Sequence, residues 1–290
     1  MRSADLDEVR RFWNQHPLWT GESRHPAGSR EFFDEHRSVY VGDGFAGRFD
    51  PRFLPPSRPD GCPVRVLDLG CGIGFWTAEF ARRGVTDIVA ADLTPMALHY
   101  TRERLTLHGV DAELKEENAE SLSFPDGSFD HVNCQGVIHH TPHTERAVSE
   151  IARVLKPGGT ASLSVYYRNP VLRLWPYGRW VGRILTRLGG GLRGRGRESI
   201  FLERDPDEIV RRYDGADNPI GKSYSRAQFV SLLEPHFQIE ETFLHFFPAR
   251  ALPMRIPSWL HRWLDGHLGF MIYATVRKPL AEEPSPARKF

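Results

Sequence analysis

Between Val64 and Gly74 the chain reads VRVLDLGCGIG, an apolar run with β-branched residues that empties into three alternate glycines. A buried strand followed by a loop without side chains, with the helix-compatible stretch Phe75 to Arg83 directly after it, opens a strand–helix–strand unit of a parallel sheet. The glycines at 70, 72 and 74 let the backbone come close to a ligand. In the dinucleotide fingerprint GxGxxG the third glycine stands one residue later, where this chain has Phe75, and that spacing weighs against a nicotinamide cofactor.

The rest of the chain extends this unit. Further strands are predicted over Asp87 to Ala91, Ala112 to Glu116, Phe129 to Cys134 and Thr160 to Tyr166. Helices are predicted over Pro95 to Leu107, stopped by Gly109, and over Glu145 to Leu155, stopped by Pro157, Gly158 and Gly159. The alternation breaks at Tyr167 and resumes at Ser225, which with Gln228 forms a capping box for a helix to Leu233. Phe237 to Phe246 and Phe270 to Val276 complete the pattern as an antiparallel pair. The expected architecture is α/β: a Rossmann-like, mostly parallel seven-stranded sheet with helices on both faces. Residues 1–60 form an N-terminal helical cap and linker, with an aromatic helix around Val9 to Trp13 and a proline-rich run from Pro51 to Pro63. Residues 61–278 form the main domain, with a helical insertion at 167–224, and 279–290 form a flexible tail.

Composition excludes several classes. Of the 290 residues 40% are hydrophobic and 26% charged, which suits a packed core and not a disordered chain. Cys62, Cys71 and Cys134 have neither CxxC nor Cys/His ligand spacing, so no metal is expected and a reducing cytoplasm fits best. No stretch approaches the roughly 20 apolar residues that span a bilayer, so stable membrane insertion is not expected. The net charge of +1 says nothing of partners.

Four segments in this order and spacing resemble the class I S-adenosylmethionine-dependent methyltransferases (methyltransferase type 11): VLDLGCGIG at 66–74, VAADLTPMAL at 89–98, NAESLSFPDGSFDHV at 118–132 and QGVIHHTPHTERAVSEIARVLKPGG at 135–159. The likeness is to the small-molecule branch that includes the quinone-biosynthesis C-methyltransferases. It implies S-adenosylmethionine as cofactor. Asp68 with Gly70, Cys71, Gly72 and Gly74 would surround the methionine portion, and Asp92, with Leu93 beside it, the ribose. Asn118, Ala119 and Glu120 would flank the adenine, and the backbone of Gln135 would meet the ammonium. The family usually has Asp where this chain has Asn118, whose amide oxygen can still accept from the adenine amino group.

Methyl transfer from a sulfonium is an in-line displacement that needs a base only when the nucleophile carries a proton. His139 and His140 follow the fourth strand on the ligand-binding rim, and with Tyr166 they are the candidates for that chemistry. Packing competes with catalysis as a reading of all three. Trp13, in an aromatic cluster with Phe12, His16 and Trp19, closes over the site or packs on the sheet edge.

The insertion is expected to choose the acceptor. From Tyr166 to Arg197 it has eight arginines and no acid, which suits an anionic group or merely a solvated loop. Its interleaved Leu172, Trp175, Trp180 and Ile184 suit a lid, a homodimer contact or a membrane surface, with the lid preferred. Tyr167, Arg168, Tyr213, Asn218 and Tyr224 are the remaining candidate acceptor contacts, and the segment around Trp259 could grip a lipid-like molecule. The expected reaction is methyl transfer to a C, O or N nucleophile of a small molecule, a specialised metabolite. The competing readings are cyclisation or aminopropyl transfer with the same cofactor, a nonenzymatic binding protein and RNA methylation. No base-flipping motif of the NPPY type occurs, and no nucleic-acid partner is expected.

Overall fold

The structure is a computed structural model that describes residues 5–57 and 61–280. Beyond Leu280 the expected tail lies outside the described residues, as do positions 58–60 of the proline-rich linker. Eight strands are described: β1 (Arg65–Leu69), β2 (Asp87–Asp92), β3 (Glu113–Glu116), β4 (Phe129–Gln135), β5 (Leu155–Tyr167), β6 (Ser223–Tyr224), β7 (Gln238–His245) and β8 (Met271–Arg277). They form one sheet in the order β3-β2-β1-β4-β5-β8-β7, and the two-residue β6 pairs with β5 off this path. β1 to β5 run parallel, while β8 is antiparallel to both β5 and β7. The doubly wound sheet with its antiparallel edge is thus as expected.

Alternation along the strands divides the core in two. Leu67, Leu69, Val132 and Ile272 point to one face, covered by α5 (Thr144–Val154) and α9 (Arg226–Leu233). Val66, Ile88 and Tyr273 point to the other, where α3 (Phe75–Ala81) lays Phe75, Trp76 and Phe80 against Phe45 and Phe53 of the N-terminal segment. That segment carries α1 (Leu6–Gln15), capped by an Asp5–Glu8 capping box, and a 15-residue helix α2 (Arg30–Gly44) started by Ser29. α4 (Pro95–His108) begins with Pro95 in its first turn, under a Thr94 cap, and stops at Gly109 in the left-handed region.

Two departures from the sequence reading have simple causes. α2 went unread because its face is mixed, with buried Phe32, Phe33 and His36 among charged neighbours. β5 starts at Leu155 rather than Thr160 because the Pro157-Gly158-Gly159 break lies inside the strand as an irregularity. Leu155 pairs with Phe129 before the break and Thr160 with His131 after it. The end of β8 closes the gap: Gly158 N–H donates to Lys278 O and Lys278 N–H to Gly159 O.

The insertion folds as α6 (Pro170–Leu174), α7 (Arg179–Arg187), α8 (Pro206–Arg212) and β6, and α10 (Ser258–Leu268) lies between β7 and β8. One buried charge cluster fastens the N-terminal segment to this end of the sheet. His245 of β7 meets Asp265 of α10 through Nδ1 and Asp50 through Nε2, and Arg52 grips Asp50 in turn. Burial disfavours the charged ring, but the two carboxylates outweigh it and raise the His245 pKa above its ordinary value. Burial also disfavours ionised Asp50, yet His245 and Arg52 hold its carboxyl well below the usual range.

A group with a raised folded pKa contributes fully below its unfolded value, about 6.5 for histidine, and loses that contribution as pH rises through the folded value. The depressed Asp50 contributes above about 3.9 and loses it as pH falls. The cluster is therefore strongest between these limits. Replacing His245 with Ala leaves the buried Asp265 without its cation and Asp50 with Arg52 alone, and is expected to cost about 3 kcal/mol. Urea unfolding from pH 5 to 9 checks both effects: the natural chain should lose stability above neutrality, the variant should lack that loss, and equal curves would refute the assignment.

Candidate active site

At the C-terminal edge of β1 the chain turns through Gly70, Gly72 and Gly74, all with positive φ (72°, 57° and 74°). Two amides of the turn, those of Gly70 and Cys71, donate to Ala91 O at the end of β2, and the Gly72 amide donates to Asp92 Oδ2 at 3.0 Å. A Cβ on Gly70 would stand 2.2 Å from Val137 Cγ2, so the turn and the segment after β4 approach as closely as glycine permits. Asp92 is held in turn by the Thr94 amide and hydroxyl through Oδ1.

Beneath this turn lies a chain of hydrogen bonds with a defined direction. Asp68, 1% exposed, accepts from Thr77 Oγ1 at 2.6 Å and from Asn133 Nδ2 at 2.8 Å. With its amide nitrogen committed to Asp68, Asn133 turns its oxygen to Gln135 Nε2 at 2.8 Å. Gln135 Oε1 is then left buried with no protein partner, and Gln135 lines a cavity of about 220 Å³. A lone acceptor here calls for a donor from a ligand. Burial raises the Asp68 pKa to about 6, the Thr77 and Asn133 hydrogen bonds opposing it only in part.

The same cavity is lined by Gly70, Gly72, Asp92, Leu93, Asn118 and Ala119. Asn118 Oδ1 already accepts from the Glu120 amide, fixing its turn, and one lone pair of that oxygen remains. Cys71, Gly74 and Glu120 stand behind the wall. Cys71 is buried against Thr101, Gly74 caps α3, and Glu120 accepts from the His143 amide. Glu117, which the sequence did not single out, lines the wall and is held by Ser123.

Across the cavity stand His140, Tyr166, Tyr213 and Asp214, with Trp13 edge-on to the His140 ring at 5.0 Å. His140 Nδ1 lies 2.6 Å from Ile220 O and Nε2 3.2 Å from Asp214 Oδ2, while the Tyr166 hydroxyl also donates to Asp214. Both partners of the imidazole only accept, so the ring donates from Nδ1 to Ile220 O, and an Nε2 that takes up a proton meets a carboxylate. Burial works against an ionised Asp214, but His140, Tyr166 and Arg195 hold its carboxyl well below the usual range. Burial, and then the Asp214 charge, push the Tyr166 pKa well up.

His139 takes no part in this wall. It is fully buried, packs its ring at a tilt against His140 and Tyr166 at 4.2 and 4.3 Å, and burial lowers its pKa well below the ordinary value. Four of the expected acceptor contacts also lie elsewhere. Tyr167 packs on the core, and Arg168 binds Ser223 and Asp207. Asn218 donates to Arg211 O, and Tyr224 donates to Thr144. Arg168 and Asn218 hold the insertion's own turns, and Tyr167 and Tyr224 fasten it to the core and to α5.

The arginines of the insertion divide likewise. Arg197 reaches the wall but is 2% exposed and spends its donors on Tyr213 O, Arg193 O and Gly194 O, with Glu22 at 2.7 Å. Arg250, from beyond β7, lies 3.4 Å from Glu22 and 3.0 Å from Asp43. The far wall is thus a set of compensated buried charges. Trp19 and Phe246, both lining the cavity, hold φ of 70° and 74°, strained values for bulky residues that are tolerated where a site over-determines them.

Residues 67–163 match the family model described as a methyltransferase domain. Among curated proteins the chain is 31% identical over 172 residues to a ubiquinone biosynthesis O-methyltransferase of Hahella chejuensis, covering 59% of this chain and 65% of that one. It is 35% identical over 119 residues to the protein of the same name from Xanthomonas oryzae pv. oryzae, covering 39% and 48%. The chain therefore spans about half to two thirds of the length of the curated relatives it matches. Of solved structures, a SAM-dependent methyltransferase of Methanosarcina mazei aligns with a TM-score of 0.52 at 23% identity, covering 76% of this chain and 94% of that one. One of Thermotoga maritima aligns with a TM-score of 0.53 at 17% identity, covering 94% and 99%. These likenesses speak to the fold. The glycine turn and the four sequence segments thus lie on the stretch that matches a methyltransferase domain, in a sheet folded like those of the SAM-dependent methyltransferases it aligns with.

Proposed function

We propose that the chain methylates a hydroxyl group of a small molecule, with His140 and Asp214 managing the proton. The reading rests above all on one observation: the glycine turn with Asp92 and Gln135 shares a single cavity with the His140, Asp214 and Tyr166 cluster. S-adenosylmethionine supplies the methyl group as an electrophilic carbon on a sulfonium. The lone acceptor Gln135 Oε1 suits its ammonium, Asp92 suits a ribose hydroxyl, and the glycine turn leaves room that a Cβ would fill.

The chain's own work is alignment and proton removal. Ile220 O keeps the Nδ1 proton on His140, so Nε2 is the atom that exchanges one. A neutral His140 accepts the acceptor's proton there, and the resulting imidazolium is met by the Ile220 carbonyl and the Asp214 carboxylate already in position. Tyr166 holds Asp214 from the other side. Oxygen is favoured over carbon or nitrogen by the names of the curated relatives, which are O-methyltransferases, and by a site arranged for a proton that must leave. Trp13, Trp19 and Phe246 suit an aromatic or otherwise apolar acceptor body.

Incubation with labelled S-adenosylmethionine and a panel of phenols and catechols should give S-adenosylhomocysteine and a methyl ether. Methylthioadenosine without a methylated product would overturn the reading in favour of aminopropyl chemistry. Asp214→Asn should lower kcat by about 100-fold, the scale of general base catalysis, while cofactor affinity stays within about twofold. Equal losses of both would place Asp214 in the fold and not in the chemistry.

Asp68 gives a pH signature. Its carboxylate sets the amide direction that leaves Gln135 Oε1 free, and its pKa is raised to about 6. Protonation below that value removes the directing charge, so cofactor affinity measured by calorimetry should fall about tenfold from pH 7 to pH 5. Asp68→Asn should bind about tenfold more weakly at pH 7, with a flat profile. A natural chain whose affinity is level over this range would refute the role.

A further inference from the structure

α7 packs through Gly182 against Phe201 and leaves an apolar stripe exposed. Trp180, Ile184 and Leu188 recur every fourth residue along one side, and Trp180 is 64% exposed. Tyr177 and Leu174 continue the stripe back to α6, both exposed. The neighbouring segment adds Met254, Trp259 and Trp263, the last two one turn apart on α10, with Trp259 67% exposed. The two stretches adjoin at both ends. Asn169, which caps α6, donates to Leu268 O at the end of α10, and the Gly191 amide after α7 donates to Ala251 O.

Charge on this surface has one sign. Arg173, Arg183 and Arg187 on α6 and α7 are exposed, as are Arg255 and Arg262, and their guanidiniums have no partner among the described residues. Residues 167–197 contain no acid, and between 252 and 268 the one acid, Asp265, is buried against His245. The acids that follow, Glu198 and Glu203, are engaged by the Gly194 amide and by Arg212.

We propose that this face docks on an anionic phospholipid surface, with the tryptophans and leucines at the level of the acyl boundary and the arginines on the headgroups. Exposed Trp, Tyr and Leu interleaved with Arg and free of acids is the chemistry of an interfacial helix. A second copy of the chain is a poor occupant, because a two-fold contact would set these unpaired arginines against themselves. The helices stay peripheral: no helix among the described residues is long and apolar enough to cross a membrane.

Sedimentation of the full chain with vesicles tests this. Vesicles containing phosphatidylglycerol should carry the protein down at low salt, phosphatidylcholine alone should not, and about 0.5 M salt should release most of it. R183E/R187E and, separately, W180S should each weaken binding by at least about tenfold, with R102E on α4 as a control that changes nothing. The substituted side chains are exposed, so melting temperatures should not move. Should the double variant fail to fold, W180S and the salt series still decide. Absence of binding to either vesicle, binding indifferent to lipid charge, or a dimer by light scattering that W180S abolishes would each overturn the proposal.

Discussion

The Asp68 carboxylate is the contact on which the site depends. It lies at the end of β1 under the glycine turn, and its two oxygens reach α3 through Thr77 and β4 through Asn133. One carboxylate thereby ties the helix after the turn to the two adjacent strands β1 and β4. A buried carboxylate with only neutral partners is costly, and its raised pKa expresses that cost. What the cost supports is direction: each amide in the chain from Asp68 to Gln135 can face only one way, so a carbonyl oxygen points at the cavity where a ligand cation is expected. The charge acts two residues away from where it is felt.

The opposite wall works by compensation. Arginines from the insertion and from the stretch after β7 are brought inside, which isolated guanidiniums would not tolerate, because Glu22 and Asp43 come from the N-terminal segment to meet them. An arginine-rich insertion suits recognition of an anion or a solvated loop. Inside the fold Arg195 and Arg197 instead bind carbonyls and Glu22, while the arginines left outside gather around α7. The same stretch thus serves two surfaces of different character.

What the sequence disclosed follows from range. β1 and β2 are short apolar runs with β-branched residues, and turn formers precede β4, so local pattern is enough to place these three, as it is for the capping box at Ser225. The cofactor side is legible for the same reason: Asp92 and Gln135 end strands, and Gly70, Gly72 and Asn118 closely follow strand ends. The acceptor side is assembled from positions 13, 22, 140, 166, 214 and 250, and no local pattern joins them. Asp214 stands in a segment rich in turn formers, between Tyr213, which reaches the cavity, and Asn218, which holds only the turn. His139 and His140 are adjacent and chemically identical, yet a single step of a short helical turn sends one into the core and one into the cavity.

The Glu22 junction bears on how such a chain can be recombined. The N-terminal segment and the insertion are far apart in sequence but share one buried ion cluster, so neither is an independent module. A graft of residues 167–224 alone into a related scaffold would arrive with buried guanidiniums and without the Glu22 carboxylate that meets them. Exchange of acceptor preference between such proteins would have to move both segments together, as a matched pair inherited across the breadth of the fold.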